Sequence, residues 1–264
     1  MRGNDLATFL DGLVRRIAHY VEDSHIAGNK TVDYLPAVSR NAVTDLSLPL
    51  EGHGTQAILD DIDEFLKQCV KTNRPEFMNP LWGGINLAGF AGEVIAALTN
   101  QSMYTYELSP IATLIEKAVI ERMMEIVGYG EGFGTLTTGG SNGNMLGMLC
   151  ARHYADPMST LNGFDGTKYV AFVSEEAHYS VLMSANVIGI GHQNLIKVKC
   201  DSSGRMKPES LIDEINRAVA NDRVPFCIIA TSGTTVRGSF DPLRKIATIA
   251  HDNDIWLHVD AAWG

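Results

Sequence analysis

The sequence predicts an α/β protein built on a mostly parallel sheet, and three observations carry that expectation. After Gly128, short β-rich runs alternate with amphipathic helical runs. Each helical run is long enough to serve as the crossover that parallel strands require. The strand candidates, such as KYVAFVS (Lys168–Ser174) and IWLHVD (Ile255–Asp260), are largely apolar, as strands covered on both faces are.

The elements follow in order. Leu6, Phe9, Leu10, Leu13, Val14 and Ile17 recur at helical spacing and predict an amphipathic helix from Asp5 to Val21. Asp5, Asp11, Glu22 and Asp23 argue against a membrane surface as its partner, so its apolar stripe is expected to dock on another part of the protein or on a second subunit. A polar loop rich in Asn, Asp and Pro follows, then a second amphipathic helix from Gln56 to Val70. Arg74–Asn86, with Pro75, Pro80, Gly83 and Gly84, reads as loop. Leu87–Leu98 and Pro110–Val127 read as helices, the second with Ser109 as cap and Pro110 at its first position.

Beyond them the expected series is a weak strand at Gly134–Thr138, helix Asn142–Tyr154, strand Lys168–Ser174, helix His178–Val187 and strand Leu195–Lys199. Helix Pro208–Ala220, strand Phe226–Thr231, helix Pro242–His251 and strand Ile255–Asp260 complete it. The chain therefore divides into a helical N-terminal segment, residues 1–105, and an α/β segment, residues 106–264, with no internal repeat.

Composition excludes several function classes. A chain of 264 residues with 45% hydrophobic and 20% charged residues is long and apolar enough to bury a sizeable core. A net charge of −10 disfavours nucleic acid or an anionic membrane as partner, since both need a basic face. Cys69, Cys150, Cys200 and Cys227 are far apart, which indicates neither a zinc site nor a redox dithiol and fits a reducing, cytoplasmic setting. No secretory signal and no membrane span is read.

In open α/β sheets ligands bind beyond the carboxyl ends of the strands, so those ends are where chemistry is sought. TTGGSNGN (Thr137–Asn144) runs into a helix, whose free N–H groups and dipole suit a phosphate; a tight capped turn is the plain alternative. It is not a Walker loop, and GYGEGFG (Gly128–Gly134) fits no dinucleotide fingerprint. SEEAHYS (Ser174–Ser180) sets His178 near a helix start. ATSGTTVRGSFDP (Ala230–Pro242) brings small hydroxyls above the sheet, with Asp241 expected to cap the next helix. The last strand presents Asp260. A phosphate seat, a flat ring donor and a carboxylate on neighbouring strand ends together suit pyridoxal 5'-phosphate, whose ring nitrogen wants an anion.

These stretches resemble the group II pyridoxal-phosphate-dependent amino-acid decarboxylases, nearest the glutamate and cysteine-sulfinate branch. MYTYELSP (Met103–Pro110), EEAHYS, ATSGTTVRGSFDP and IWLHVDAAWG carry the likeness, in order, from about residue 75 to the end. The resemblance implies the large domain of a fold-type-I pyridoxal-phosphate enzyme. In it Gly140, Ser141 and Asn142 would cradle the phosphate and His178 would stack on the pyridine face. Thr235, together with Thr234, would line the cofactor and substrate side, Asp260 would pair with the ring nitrogen, and Ala262 would pack under the ring. It also implies a homodimer in which N-terminal helices wrap the partner.

Two departures bear on function. The family's Schiff-base lysine lies a few tens of residues beyond the aspartate, so a fragment lacking that lysine and the small C-terminal domain is expected. The glutamate branch carries a Gln that helps hold the distal carboxylate; here Phe77-Met78-Asn79-Pro80-Leu81-Trp82 puts Pro80, which has no donor, in its place. The expected activity is decarboxylation of an L-amino acid resembling glutamate, cysteine sulfinate or aspartate, with diaminobutyrate also open. The alternatives are another reaction of the same fold, such as transamination or aldol cleavage, and a non-catalytic fragment.

Overall fold

A computed structural model describes residues 3–26, 28–164 and 168–264. The chain divides into two compact units, Met1–Ile115 and Glu116–Gly264.

The first unit holds α1 (Gly3–Ser24), α2 (Ala37–Val43), α3 (Thr55–Gln68) and α4 (Leu87–Thr99), and the start of α5 (Pro110–Val127). The expected helices appear within a few residues of their bounds, while α2 lies in a stretch read as loop. The docking expected of α1 is in part internal to the unit. Gly12 has no side chain where a Cβ would stand 2.8 Å from Cδ1 of Leu59, so α1 and α3 approach closely. Arg16 spans the pair, donating from Nε to the Leu59 carbonyl at 3.1 Å and pairing with Asp63 at 2.8 Å. Arg74 is buried and donates to the Ile26 carbonyl at 2.9 Å, clamping the end of α1. Leu6, Leu10 and Val14 stay exposed all the same.

Ser109 does not cap α5 through its side chain. Its carbonyl accepts the Thr113 N–H at 3.0 Å, as the residue before a helix should, but its buried hydroxyl donates to Oε1 of Gln101 at 2.8 Å.

In the second unit α6 (Gly140–Ala155) and α7 (Ser159–Asn162) precede the sheet, followed by β1 (Tyr169–Ser174), α8 (Ser180–Val187), β2 (Leu195–Val198), α9 (Pro208–Ala220), β3 (Val224–Thr231), α10 (Leu243–Asp252) and β4 (Trp256–Asp260). The four strands are parallel in the order β2-β1-β3-β4. The chain moves outward from β1 to β2, crosses back to β3, and continues to β4, so strand order reverses between β1 and β3.

Alternation along the strands divides the core in two. Val170 and Phe172 of β1 and Ile228 and Ala230 of β3 pack with Leu211 and Ile215 of α9 and Ile246 and Ile249 of α10. Ala171, Val173, Cys227 and Ile229 pack with Met148 and Ala151 of α6 and Val181 and Ala185 of α8. Burial of Cys227 pushes its thiol far above the ordinary range, so it acts as a small hydrophobe.

Three expectations give way here. Gly134–Thr138 forms no strand: a β-run needs a neighbouring ladder, and none of the described strands pairs with it. The helix read from His178 starts at Ser180, leaving His178 in the turn before it. Asp241 does not cap α10. Its carboxylate is buried and accepts the Met206 N–H at 2.6 Å and the Thr231 N–H at 2.8 Å, fastening the strand end instead of the helix start. Burial raises its pKa against the pull of those two N–H groups.

Helix α6 lies along β4 because it is narrow there. A Cβ on Gly147 would stand 2.5 Å from Cε1 of His258, and closer still to Nδ1. Alanine has the better helix propensity by about 1 kcal/mol, but this overlap is far inside contact distance, and overpacking costs about 1–3 kcal/mol. Gly147→Ala is therefore expected to lower stability in urea denaturation despite its gain in propensity.

Candidate active site

The candidate site begins at the start of α6. Gly139, the residue before the helix, sits at φ +147°, where an L side chain is strained. Its carbonyl accepts the N–H groups of Asn142 and Gly143 at 3.0 and 3.1 Å. The first N–H groups of the helix have no intrahelical acceptor and lie at the positive end of its dipole. Ser141 is exposed there and Asn142 is half-buried.

Gly140, Asn144 and Gly147 recur at helical spacing and share one face of α6. His258, Asp260 and Ala262 alternate along β4 and its continuation, and so share one face of the sheet. The two faces meet in antiparallel order. A Cβ on Gly140 would lie 2.7 Å from Cβ of Ala262, and one on Gly147 would strike His258. Between them Asn144 Nδ2 donates to Oδ2 of Asp260 at 2.8 Å, and Nε2 of His258 stands 2.8 Å from Asn144 Oδ1.

Asp260 is buried at the tip of β4. Its other oxygen, Oδ1, accepts the Ala262 N–H at 3.1 Å, so both of these donors are neutral. Asn144 also donates from Nδ2 to Oγ of Ser180 at 3.0 Å, and that oxygen lies 2.8 Å from Nδ1 of His178. His178 and Asp260 are thus the two ends of one chain of contacts through Ser180 and Asn144.

The loop after β3 closes against the residues after β4. The Ser232 N–H donates to the Asp260 carbonyl at 2.8 Å and Gly264 N–H to the Ser232 carbonyl at 3.0 Å. Phe240 and Trp263 meet edge to face with centroids 6.5 Å apart. In that loop the hydroxyl of Thr234 is buried and accepts the Ser239 N–H at 3.0 Å, while Thr235 is exposed.

The structure therefore brings together Gly140, Ala262, Asp260 and, through two intermediaries, His178. Ser141 and Thr235 are exposed and Asn142 is half-buried, and none of their side chains contacts that group through a hydrogen bond among the described residues. Sequence reasoning missed Asn144, Ser180 and His258. The signal for Asn144 was its spacing from Gly140 and Gly147 on one helix face, and for His258 its alternation with Asp260. Thr231 was missed as well. It pairs in register with Asp260 on the neighbouring strand, and its hydroxyl is buried with no hydrogen-bond partner among the described residues.

A parallel α/β sheet with a glycine-rich helix start abutting a buried carboxylate at a strand tip defines a cofactor-binding protein of the fold-type-I class. The chain belongs to the pyridoxal-dependent decarboxylases: the conserved domain of that family matches residues 36–264. It is 39% identical over 236 residues to the acidic amino acid decarboxylase GADL1 of Mus musculus, covering 89% of this chain and 43% of that protein. It is 36% identical over 261 residues to the cysteine sulfinic acid decarboxylase of Homo sapiens, covering 97% of this chain and 53% of that one. Its fold superposes on the crystal structure of mouse CSAD with a TM-score of 0.96 and 34% identity, covering all of this chain and 56% of that one. The chain thus spans about half the length of the curated relatives it matches.

The residues present fit pyridoxal phosphate. The turn at Gly139–Gly140 is a cradle that a side chain at Gly140 would fill, the helix start offers N–H groups to a phosphate, and Asp260 offers a buried charge to a cationic nitrogen. The unpartnered Thr231 hydroxyl on the same sheet face adds a polar contact.

Burial pushes the pKa of His258 below its ordinary 6.5, and the nearby Asp260 charge opposes this only in part. A histidine with a depressed folded-state pKa takes up protons more readily when unfolded. Its contribution to stability is therefore present above pH 6.5 and lost as pH falls from 6.5 through the folded value. In urea denaturation at a series of pH values, His258→Gln, which keeps a donor toward Asn144, is expected to lose less stability below pH 6.5 than the wild type.

Proposed function

We propose that the protein carrying this chain decarboxylates an acidic L-amino acid with pyridoxal phosphate as cofactor. The observation that carries this reading is Asp260, a buried carboxylate held by neutral donors beside a glycine-lined helix start. The family match and the named activities of its relatives, acidic amino acid and cysteine sulfinic acid decarboxylation, support the substrate class.

When bound, pyridoxal phosphate supplies an electron sink for the electrons of the bond that releases CO2. The protein's part is binding and electrostatics. The N–H groups at the start of α6, with Ser141 and Asn142, would hold the phosphate, and Gly140 and Ala262 would keep the floor shallow. Asp260 would keep the ring nitrogen protonated, because an opposite charge in a desolvated site favours the charged form of its partner. His178 would cover one ring face and help exclude water, and Thr235 would border the substrate side.

The same reading extends to assembly and compartment. Leu87, Ile95 and Leu98 of α4 are exposed, as are Leu6, Leu10 and Val14 of α1, and apolar surface of this extent favours a second copy of the chain. Cys69, Cys150, Cys200 and Cys227 are free thiols, which suits the reducing cytoplasm.

Asp260→Ala in the whole protein is expected to keep weak cofactor absorbance and to lose turnover by roughly 10²–10³-fold, the scale of leaving a buried charge without its partner. Turnover within about tenfold of wild type would remove Asp260 from the mechanism. Product analysis separates the reaction from others on this fold: CO2 and the amine are expected, and a keto acid would point to transamination. Light scattering is expected to give a dimer mass.

A further inference from the structure

We infer that Asn144 is a positioning residue whose side-chain amide sets the direction of the side-chain hydrogen bonds that run from Asp260 to His178, so that Asp260 is held through Oδ2 and His178 carries its proton on Nε2. The chain of reasoning starts at Asp260. A carboxylate only accepts, so the Asn144 group 2.8 Å from Oδ2 is the NH2. The flipped amide would set oxygen against oxygen in a buried position. Asn144 Oδ1 then faces Nε2 of His258 and must accept from it. That agrees with the neutral state that burial favours for His258, since its one proton then lies on Nε2.

The second N–H of the Asn144 amide points to Ser180 Oγ at 3.0 Å. Ser180 accepts there, and its own proton is free to go to His178 Nδ1 at 2.8 Å. One alternative would reverse the last link, with His178 Nδ1–H donating to Ser180. The Ser180 backbone N–H opposes it. That N–H is directed at the same Nδ1 from 3.3 Å, and two N–H groups would then face each other. Two donors converging on Nδ1 fix it as the lone-pair nitrogen, leaving Nε2–H as the group His178 offers outward. No member of the chain has a free choice, because Asn144, Ser180 and Asp260 are all buried and need their partners.

The consequence for catalysis rests on the proposed cofactor site: His178 would meet the ligand as a donor and Asp260 with a fixed carboxylate plane. The network itself is a property of this chain and is tested without turnover. Two-bond ¹H–¹⁵N correlation of ¹⁵N-histidine-labelled chain, with His178 assigned by His178→Gln, reads which ring nitrogen is protonated. The expected result is the Nε2–H tautomer in the wild type. Ser180→Ala is expected to release His178 to a tautomer mixture, and Ser180→Thr, which keeps the hydroxyl, to restore it. Asn144→Ala is expected to release His178 too, and also to weaken pyridoxal phosphate binding by about tenfold to a hundredfold in an absorbance titration, as loss of a hydrogen bond to a charged group does. Ser180→Ala should weaken that binding far less.

A wild-type His178 protonated on Nδ1, or a tautomer indifferent to both substitutions, overturns the inference. The cofactor reading fails separately. If the Nε2–H tautomer is found but pyridoxal phosphate leaves the His178 signals unmoved, the network stands and the assignment of the site falls. If the cofactor moves those signals and the proton is on Nδ1, the reverse holds.

Discussion

Close contact between α6 and β4 is the constraint on which the rest of the site depends. A helix can lie this near a strand only where it lacks side chains, and Gly140 and Gly147 supply that lack at both ends of the contact. Asn144 stands between them, inside the interface. A buried amide without partners would cost several kcal/mol on transfer scales, so its place is tolerable only because Asp260, His258 and Ser180 surround it. The apolar packing of Met148 and Ala151 further along the same helix holds the register. Packing thus brings the polar groups within reach, and their mutual satisfaction selects one arrangement among those the packing allows.

The sheet supplies the level at which this happens. Parallel strands end on one side, so Ser174, Thr231 and Asp260 occupy neighbouring tips, with Thr231 and Asp260 in register. Two carboxylates are buried near these tips, and their surroundings give them different roles. Asp241 is received by backbone N–H groups of Met206 and Thr231 and fastens one connection to another. Asp260 is received by a side-chain amide and the N–H of Ala262, at the mouth of a glycine turn. The first is enclosed by chain; the second is positioned beside a place where a ligand fits.

The connections above the sheet are themselves tied. Glu175 accepts the Cys200 N–H at 2.9 Å, Arg237 pairs with Glu176 at 3.6 Å, and Ser239 donates to the Ser203 carbonyl at 2.5 Å. The exposed ion pair contributes little by itself. The main-chain contacts matter more, since they order loops that would otherwise lose the entropy of several residues on ligand binding.

The sequence by itself determined the repeating pattern of strand and helix in the second unit. Periodicity and capping are local properties, so β1, α9, β3 and β4 stand within two residues of where the spacing puts them. It also made legible a last strand with a carboxylate at its tip, because Asp260 closes an apolar run directly. It did not determine pairing. Gly134–Thr138 has a strand's composition but no ladder among the described strands, and Ser109 and Asp241 have capping chemistry but turn their side chains elsewhere, Ser109 to Gln101 and Asp241 to the N–H groups of Met206 and Thr231. Asn144 is the clearest case. Asn142 and Asn144 share one glycine-rich helix start, and although spacing puts Asn144 on the face of Gly140 and Gly147, nothing local says what that face meets. Only the approach of α6 to β4, across 116 residues of chain, turned one of two asparagines into the hub of the site. Hydrogen bonds over that separation depend on where whole elements pack, and tertiary structure alone decided that.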